Sequence, residues 1–426
     1  MSQENQTIFE KNGYKLNVIP TDKYKTNTVV WKMKAPLSED TVTLRALLPY
    51  VLQSNTKKYP SNTALRTYLE ELYGAGLYGS AGKKGEYHII TFTLEVANEK
   101  FLSGGEPLLE KAIQLLSEVI FHPNVENGAF QQKTVDEEKR NLKQRIQSLN
   151  DDKMKYASTR LIEEMCKDEP YAIEVNGFSD QVDAITPAIL FDYFTHAVET
   201  DEIDIFVVGD VNPQRVDRLC SQYIHLSERK PQVQPFERNF HVDAPKEVKE
   251  VQDITQGKLN IGYRSGIVYG DKQYYSLQVF NGIFGGFPHS KLFLEVREKN
   301  SLAYYAASRL ESHKGLIIVM AGIQQENYQK TVNIIKEQMD AMKKGEFSEQ
   351  IISQTKAVIE NQLLETIDHP IGLVEVLYHD VIAGKTVSIQ QWLDGVKKVT
   401  KEEIVDVANQ VELDTIYFLA GTEVAQ

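Results

Sequence analysis

Hydrolysis at a helix-borne zinc ion needs two imidazoles one turn apart and a carboxylate beside them to activate water. The nine histidines here are His88, His122, His196, His225, His241, His289, His313, His369 and His379, and no two stand within five residues of each other. Neither H-x-x-E-H nor H-E-x-x-H is therefore present. His196 and His225 each have a glutamate three residues on, but Thr200 and Arg229 occupy the place of the second imidazole. Other chemistries fare no better. No G-x-S-x-G elbow occurs, and Ser265 in GYRSGI lacks the first glycine at the required spacing. Residues 74–79, GAGLYG, fit the dinucleotide fingerprint in letters only. They follow the helical run TALRTYLEELY and precede strands, the reverse of the strand–turn–helix order that brings pyrophosphate to a helix N-terminus. Gly74 and Gly76 read instead as a helix terminus. AGKTVS ends like a phosphate loop, but His379 stands where its first glycine belongs. Cys166, in LIEEMCKD, reads as a packed thiol, and Glu137–Glu138 and Asp151–Asp152 as solvated faces of a polar helical stretch.

The elements that must position any site are written twice. ITPAILFDYFTHAVETDEIDIFVVGD (185–210) and VTKEEIVDVANQVELDTIYFLAGT (399–422) both place a threonine, Thr186 or Thr400, as a helix N-cap. Pro187 or Lys401 follows, an aspartate comes six residues after the cap (Asp192, Asp406), and a β-rich run closes at Gly209 or Gly421. An earlier pair, residues 61–96 and 289–323, reads as helix, turn and two strands in each case. Patterns such as EPLLEKAIQLLSEVIF and NYQKTVNIIKEQMDAMKKG alternate with these strand pairs, which predicts α+β domains. The expected organisation is a first domain over 1–226, a Pro-containing charged linker over 227–250, and a second domain over 251–426.

Against this layout, residues 285–308, GGFPHSKLFLEVREKNSLAYYAAS, resemble the C-terminal-domain signature of the M16 (pitrilysin, or mitochondrial processing peptidase) zinc peptidases. Residues 203–219, IDIFVVGDVNPQRVDRL, resemble the strand–turn–helix that closes the family's first half. The resemblance implies two similar domains, each an antiparallel sheet packed against helices. It also places Arg297 and Tyr304 on the family's Arg and Tyr that engage the backbone of bound peptide. It puts the family's H-x-x-E-H on LRALLPYVL (44–52), where the three motif positions hold Ala46, Pro49 and Tyr50. The distal glutamate falls on Arg145, with Glu137 or Glu138 as a shifted alternative. A methyl group, a pyrrolidine and a guanidinium cannot ligate zinc, and a phenol with an ordinary pKa near 10 is a poor ligand. Pro49 would also remove a hydrogen bond from a helix interior, which costs about 3 kcal/mol.

Composition narrows the partners. The net charge of −13 argues against a phosphate-backbone binder. Cys166 and Cys220 alone cannot make a disulfide framework, and the start MSQENQTIFEKNGYKLNVIP has no signal-peptide character. A cytoplasmic protein with no cofactor, no nucleic acid and no membrane partner is expected. The resemblance implies a catalytically inactive homologue that binds peptide or regulates as one subunit of a heteromeric zinc peptidase, beside a zinc-bearing M16 subunit, with a homodimer possible in isolation. Two alternatives stay open: a scaffold that binds no peptide, and a zinc hydrolase with relocated ligands.

Overall fold

The computed structural model describes residues 6–229, 242 and 244–422. In chain order the first half runs β1 (Thr7–Lys11), β2 (Tyr14–Pro20), β3 (Thr26–Pro36), α1 (Glu39–Leu52), α2 (Asn62–Glu71), β4 (Gly76–Lys84), β5 (Tyr87–Ala97), α3 (Leu108–Phe121), β6 (Val125–Glu126), β7 (Ala129–Phe130), α4 (Gln132–Asp151), α5 (Lys153–Met165), α6 (Ser179–Ala184), α7 (Pro187–Thr200), β8 (Glu202–Gly209) and α8 (Pro213–Tyr223). The second half runs β9 (Lys246–Gln252), β10 (Gly257–Arg264), α9 (Tyr274–Asn281), β11 (Ala303–Glu311), β12 (Leu316–Ile323), α10 (Tyr328–Lys343), α11 (Glu349–Thr366), α12 (Pro370–Ala383), α13 (Ile389–Lys398), α14 (Lys401–Gln410) and β13 (Glu412–Gly421). Two stretches of π-helix, residues 282–286 and 293–299, lie between α9 and β11.

The duplication is visible strand by strand. One sheet has the order β1-β2-β8-β3-β5-β4 and the other β11-β12-β10-β13-β9. Read from opposite ends, β8 and β13 hold the same place, each between one parallel and one antiparallel neighbour. The sheets are thus mixed, which corrects the expectation of antiparallel sheets. The reason is that β8 and β13 return after long helical excursions and pair with an early strand of their own half, β2 or β9, in the same direction. Both threonine caps form: Thr186 Oγ1 accepts from the Ile189 N–H (3.2 Å), and Thr400 Oγ1 from that of Glu403 (3.3 Å). The expected linker needs a correction too, because its last five residues already belong to β9. Residues 230–241 and 243 of that segment lie outside the described residues.

Each sheet is covered on both faces, as the nearly continuous apolar run of β8 requires. One face of the first sheet, with Val29, Trp31, Phe92 and Ile205, packs on α1, α3 and α8. Its other face, with Val30, Ile89, Phe206 and Val208, is covered by Val374, Leu377 and Tyr378 of α12, which comes from the second half. Reciprocally, Leu161 and Met165 of α5, from the first half, pack on Leu316, Ile318, Tyr417 and Leu419 of the second sheet. The halves therefore trade one helix each. Among the described residues, no helix is long and apolar enough to cross a membrane.

Candidate functional site

α1 carries the three positions on which a metal motif would sit. It begins after Ser38 and continues through Pro49 to Leu52 as one helix. Its C-terminal end is fastened to β4: Gln53 Oε1 accepts from the Gly79 N–H (2.6 Å), and Pro49 presses on the Gly79 backbone. A Cβ at residue 79 would stand 2.7 Å from the Pro49 carbonyl oxygen, so this approach needs glycine. One turn deeper, Arg45 is fully buried and anchors the helix. It donates from Nη1 to Asp201 Oδ2 (2.7 Å) and Tyr193 Oη (3.1 Å), and from Nη2 to the Met33 and His88 carbonyls (3.1 Å each).

The structure brings Tyr50 and Arg145 together. α4 crosses α1 so that the Arg145 guanidinium lies over the Tyr50 ring, 3.7 Å from its centroid. Stacking of this kind contributes about 0.5–2 kcal/mol, depending on desolvation. Arg145 Nε and Nη2 are buried and reach no acceptor among the described residues, so the ring face is their main compensation. Glu138 sits nearer the N-terminal end of α4 and accepts from Ser54 Oγ (3.4 Å), while Glu137 is exposed. Ala46 lies in the core at 1 % exposure. A cation stacked on a phenol, beside a methyl group and a proline, does not fit a zinc ion. Among the described residues no three His, Cys, Asp or Glu side chains converge as a metal set.

Arg297 and Tyr304 stand elsewhere, in the second half. Arg297 is exposed on the π-helical turn, 4.7 Å over the Phe293 ring and 3.5 Å from Glu298. Ser301, at φ 50°, then turns the chain into β11. Tyr304 follows at 80 % exposure, the most exposed large hydrophobic side chain described. Among the described residues β11 pairs only with β12, which leaves its outer edge open. Among the described residues, no hydrogen bond, ion pair or ring contact joins Arg297 or Tyr304 to Ala46, Pro49, Tyr50 or Arg145. The other sequence candidates are placed without chemistry. Cys166 ends α5 as a buried thiol, and Gly74, at φ 75°, follows the end of α2. Asp152 is the N-cap of α5, accepting from the Met154 and Lys155 N–H groups, where a solvated helix face was expected.

Comparison with known proteins identifies the family. Residues 47–177 match the family profile described as Insulinase (Peptidase family M16), and residues 184–359 match that described as Peptidase M16 inactive domain. The chain is 51% identical over 426 residues to the "Probable inactive metalloprotease YmfF" of Bacillus subtilis, covering 99% of each chain. The chain belongs to the M16 peptidase family. Among solved M16-like folds, a conserved protein from Enterococcus faecalis superposes with a TM-score of 0.91 at 34% identity, covering 99% of this chain and 100% of that one. A protease from Helicobacter pylori shares the fold with a TM-score of 0.80 at 16% identity, over 97% and 99% of the two chains. This chain is an inactive-type M16 homologue. Sequence reasoning missed the Arg45–Asp201 pair and the Tyr50–Arg145 stack. Their partners lie far apart in sequence, and no local pattern marks them.

Proposed function

We propose that this chain is the non-catalytic subunit of a two-part M16 peptidase, holding a peptide strand while a zinc-bearing partner subunit supplies the metal. The contrast between its two sites carries this reading. Tyr50 and Arg145 stack on each other at positions where the resemblance puts metal ligands, while Arg297 and Tyr304 stand exposed beside a sheet edge left open among the described residues. An open edge offers unpaired N–H and C=O groups to an extended peptide. Arg297 adds charged donors and Tyr304 a hydroxyl, both suited to backbone carbonyls.

The test is peptide affinity of an Arg297→Ala/Tyr304→Phe double variant, read by titration alone and by cleavage in the presence of the partner. One charged and one neutral hydrogen bond together contribute about 2–4 kcal/mol, so affinity should fall by about 30-fold or more. The melting temperature should not move, because both side chains are exposed. Unchanged affinity would favour a scaffold that binds no peptide.

A further inference from the structure

The two exchanged helices rest on different beds. Under α5 the second sheet is threaded by ion pairs. Arg264 reaches Glu169 (2.6 Å) and Asp414 (2.5 Å), and the Tyr156 and Tyr417 hydroxyls both donate to Glu250 (2.7 and 2.6 Å). Under α12 the bed includes groups that favour their neutral forms. His313, in the β11–β12 turn, meets His379 of α12 with Nε2 and Nδ1 2.6 Å apart, ring centroids 4.9 Å apart and planes within 13°. Tyr269 stacks over His379 at 5.2 Å and donates its hydroxyl proton to Asp380 of α12 (2.9 Å).

The same turn is pressed by the first half. Gly85, at the β4–β5 hairpin tip with φ 56°, lies so close that a Cβ there would stand 3.0 Å from the His313 carbonyl oxygen. Next to it, Lys314 is buried against Glu86 and Glu169. Lys84 from the hairpin and Lys32 from β3 both pair with Glu375 of α12 (3.0 and 2.6 Å). A cavity of about 150 Å³ borders His313 at this seam, with Tyr87 and Lys385 also in its wall.

We propose that the His313–His379 pair is a proton-operated clasp that ties α12 to the β11–β12 turn of its own half and so holds the helix in its seat on the first sheet. Two imidazoles joined by one hydrogen bond need a donor and an acceptor, and a doubly protonated pair has no acceptor left. A first proton is opposed by burial, by Lys84 and, at His379, also by Lys32, while Glu375 favours it at His379. Both rings are accordingly held below the ordinary value of 6.5, burial being the largest cause. The seat is intact above pH 6.5 and weakens as pH falls below it, because the lifted helix takes up protons that the seated one refuses. At pH 5.5 each proton favours lifting by about ten-fold. Asp204, buried under the same helix, titrates the other way. Burial pushes its carboxyl up to about 7, so it adds stability at low pH that is lost as pH rises towards 7. The clasp must therefore be read as a difference between chains that share Asp204.

The experiment is hydrogen exchange of the α12 amides in the full chain and in a His313→Gln/His379→Gln variant, at pH 7.5 and 5.5, corrected for the chemical exchange rate. The opening constant of the wild type relative to the variant should rise at least ten-fold on going to pH 5.5, with no such rise in α5. A ratio that stays flat, or a rise shared equally by α5, overturns the clasp. Should the variant fail to fold, histidine side-chain NMR of the wild type decides. Rings that stay neutral at pH 6 while α12 is protected support the clasp, and rings titrating at 6.5 in the seated state overturn it.

Discussion

Replacing Arg45 by methionine is expected to destabilise the first domain by about 3–5 kcal/mol, the cost of breaking a buried ion pair on one side. Arg45 is fully buried, and Asp201 is 4 % exposed. The guanidinium also holds the Met33 and His88 carbonyls and the Tyr193 hydroxyl, so its loss leaves four acceptors without that donor. Asp201 suffers most, because its carboxylate must then ionise in the core beside α1. The check is urea unfolding, read as the shift of the transition that reports on Trp31, which is buried in the core that packs on α1. A second variant, Arg45→Met/Asp201→Leu, should recover a large part of the loss, since an apolar pair of similar volume replaces a buried ion pair at little net cost. A loss below about 1 kcal/mol for Arg45→Met, the range of an exposed pair, would contradict this account of how α1 is held.

Restoring the family's ligands is expected to restore zinc. In the quadruple variant Ala46→His, Pro49→Glu, Tyr50→His, Arg145→Glu, the two imidazoles are one helical turn apart on α1, and α4 presents the new carboxylate where Arg145 now stacks on Tyr50. Removing Pro49 from the helix interior should offset part of the cost of placing an imidazole at the buried Ala46 position. Equilibrium dialysis should find about one zinc per folded variant chain, with micromolar or tighter affinity, and far less on the parent. The glutamate shift has its own control: with Arg145 kept and Glu138 as the only distal carboxylate, affinity should be far weaker. Equal zinc binding in that control would mean that Glu138, not residue 145, holds the distal position.

The legible and the hidden parts of this protein divide along sequence distance. The duplication could be read because its signals are local: a threonine cap, a helix and an apolar strand ending in glycine recur at Thr186–Gly209 and Thr400–Gly421. The mismatch at the metal motif's expected positions could be read because a methyl, a pyrrolidine and a guanidinium are wrong by chemical type in any fold. The parallel pairs β2–β8 and β9–β13 could not, since pairing direction is set by where the chain returns after its helices. Nor could the exchange of α5 and α12, because an amphipathic helix does not state which sheet it will cover. The same holds for Arg45 in LRALLPYVL, whose acceptor Asp201 is 156 residues away, and for His313 and His379, which are 66 apart. Arg297 and Tyr304 were legible as a motif, and the structure adds their exposure beside an open edge.

The most direct test of the central claim is metal content and peptide cleavage, measured on the purified chain alone and after mixing with the zinc-bearing M16 homologue from the same source. A chain that is metal-free and inert alone, but raises cleavage by the homologue in a manner abolished by Arg297→Ala/Tyr304→Phe, is the predicted result. Stoichiometric zinc and cleavage by the chain alone would contradict the account, and would mean that Ala46, Pro49, Tyr50 and Arg145 are not the positions where this protein keeps its metal.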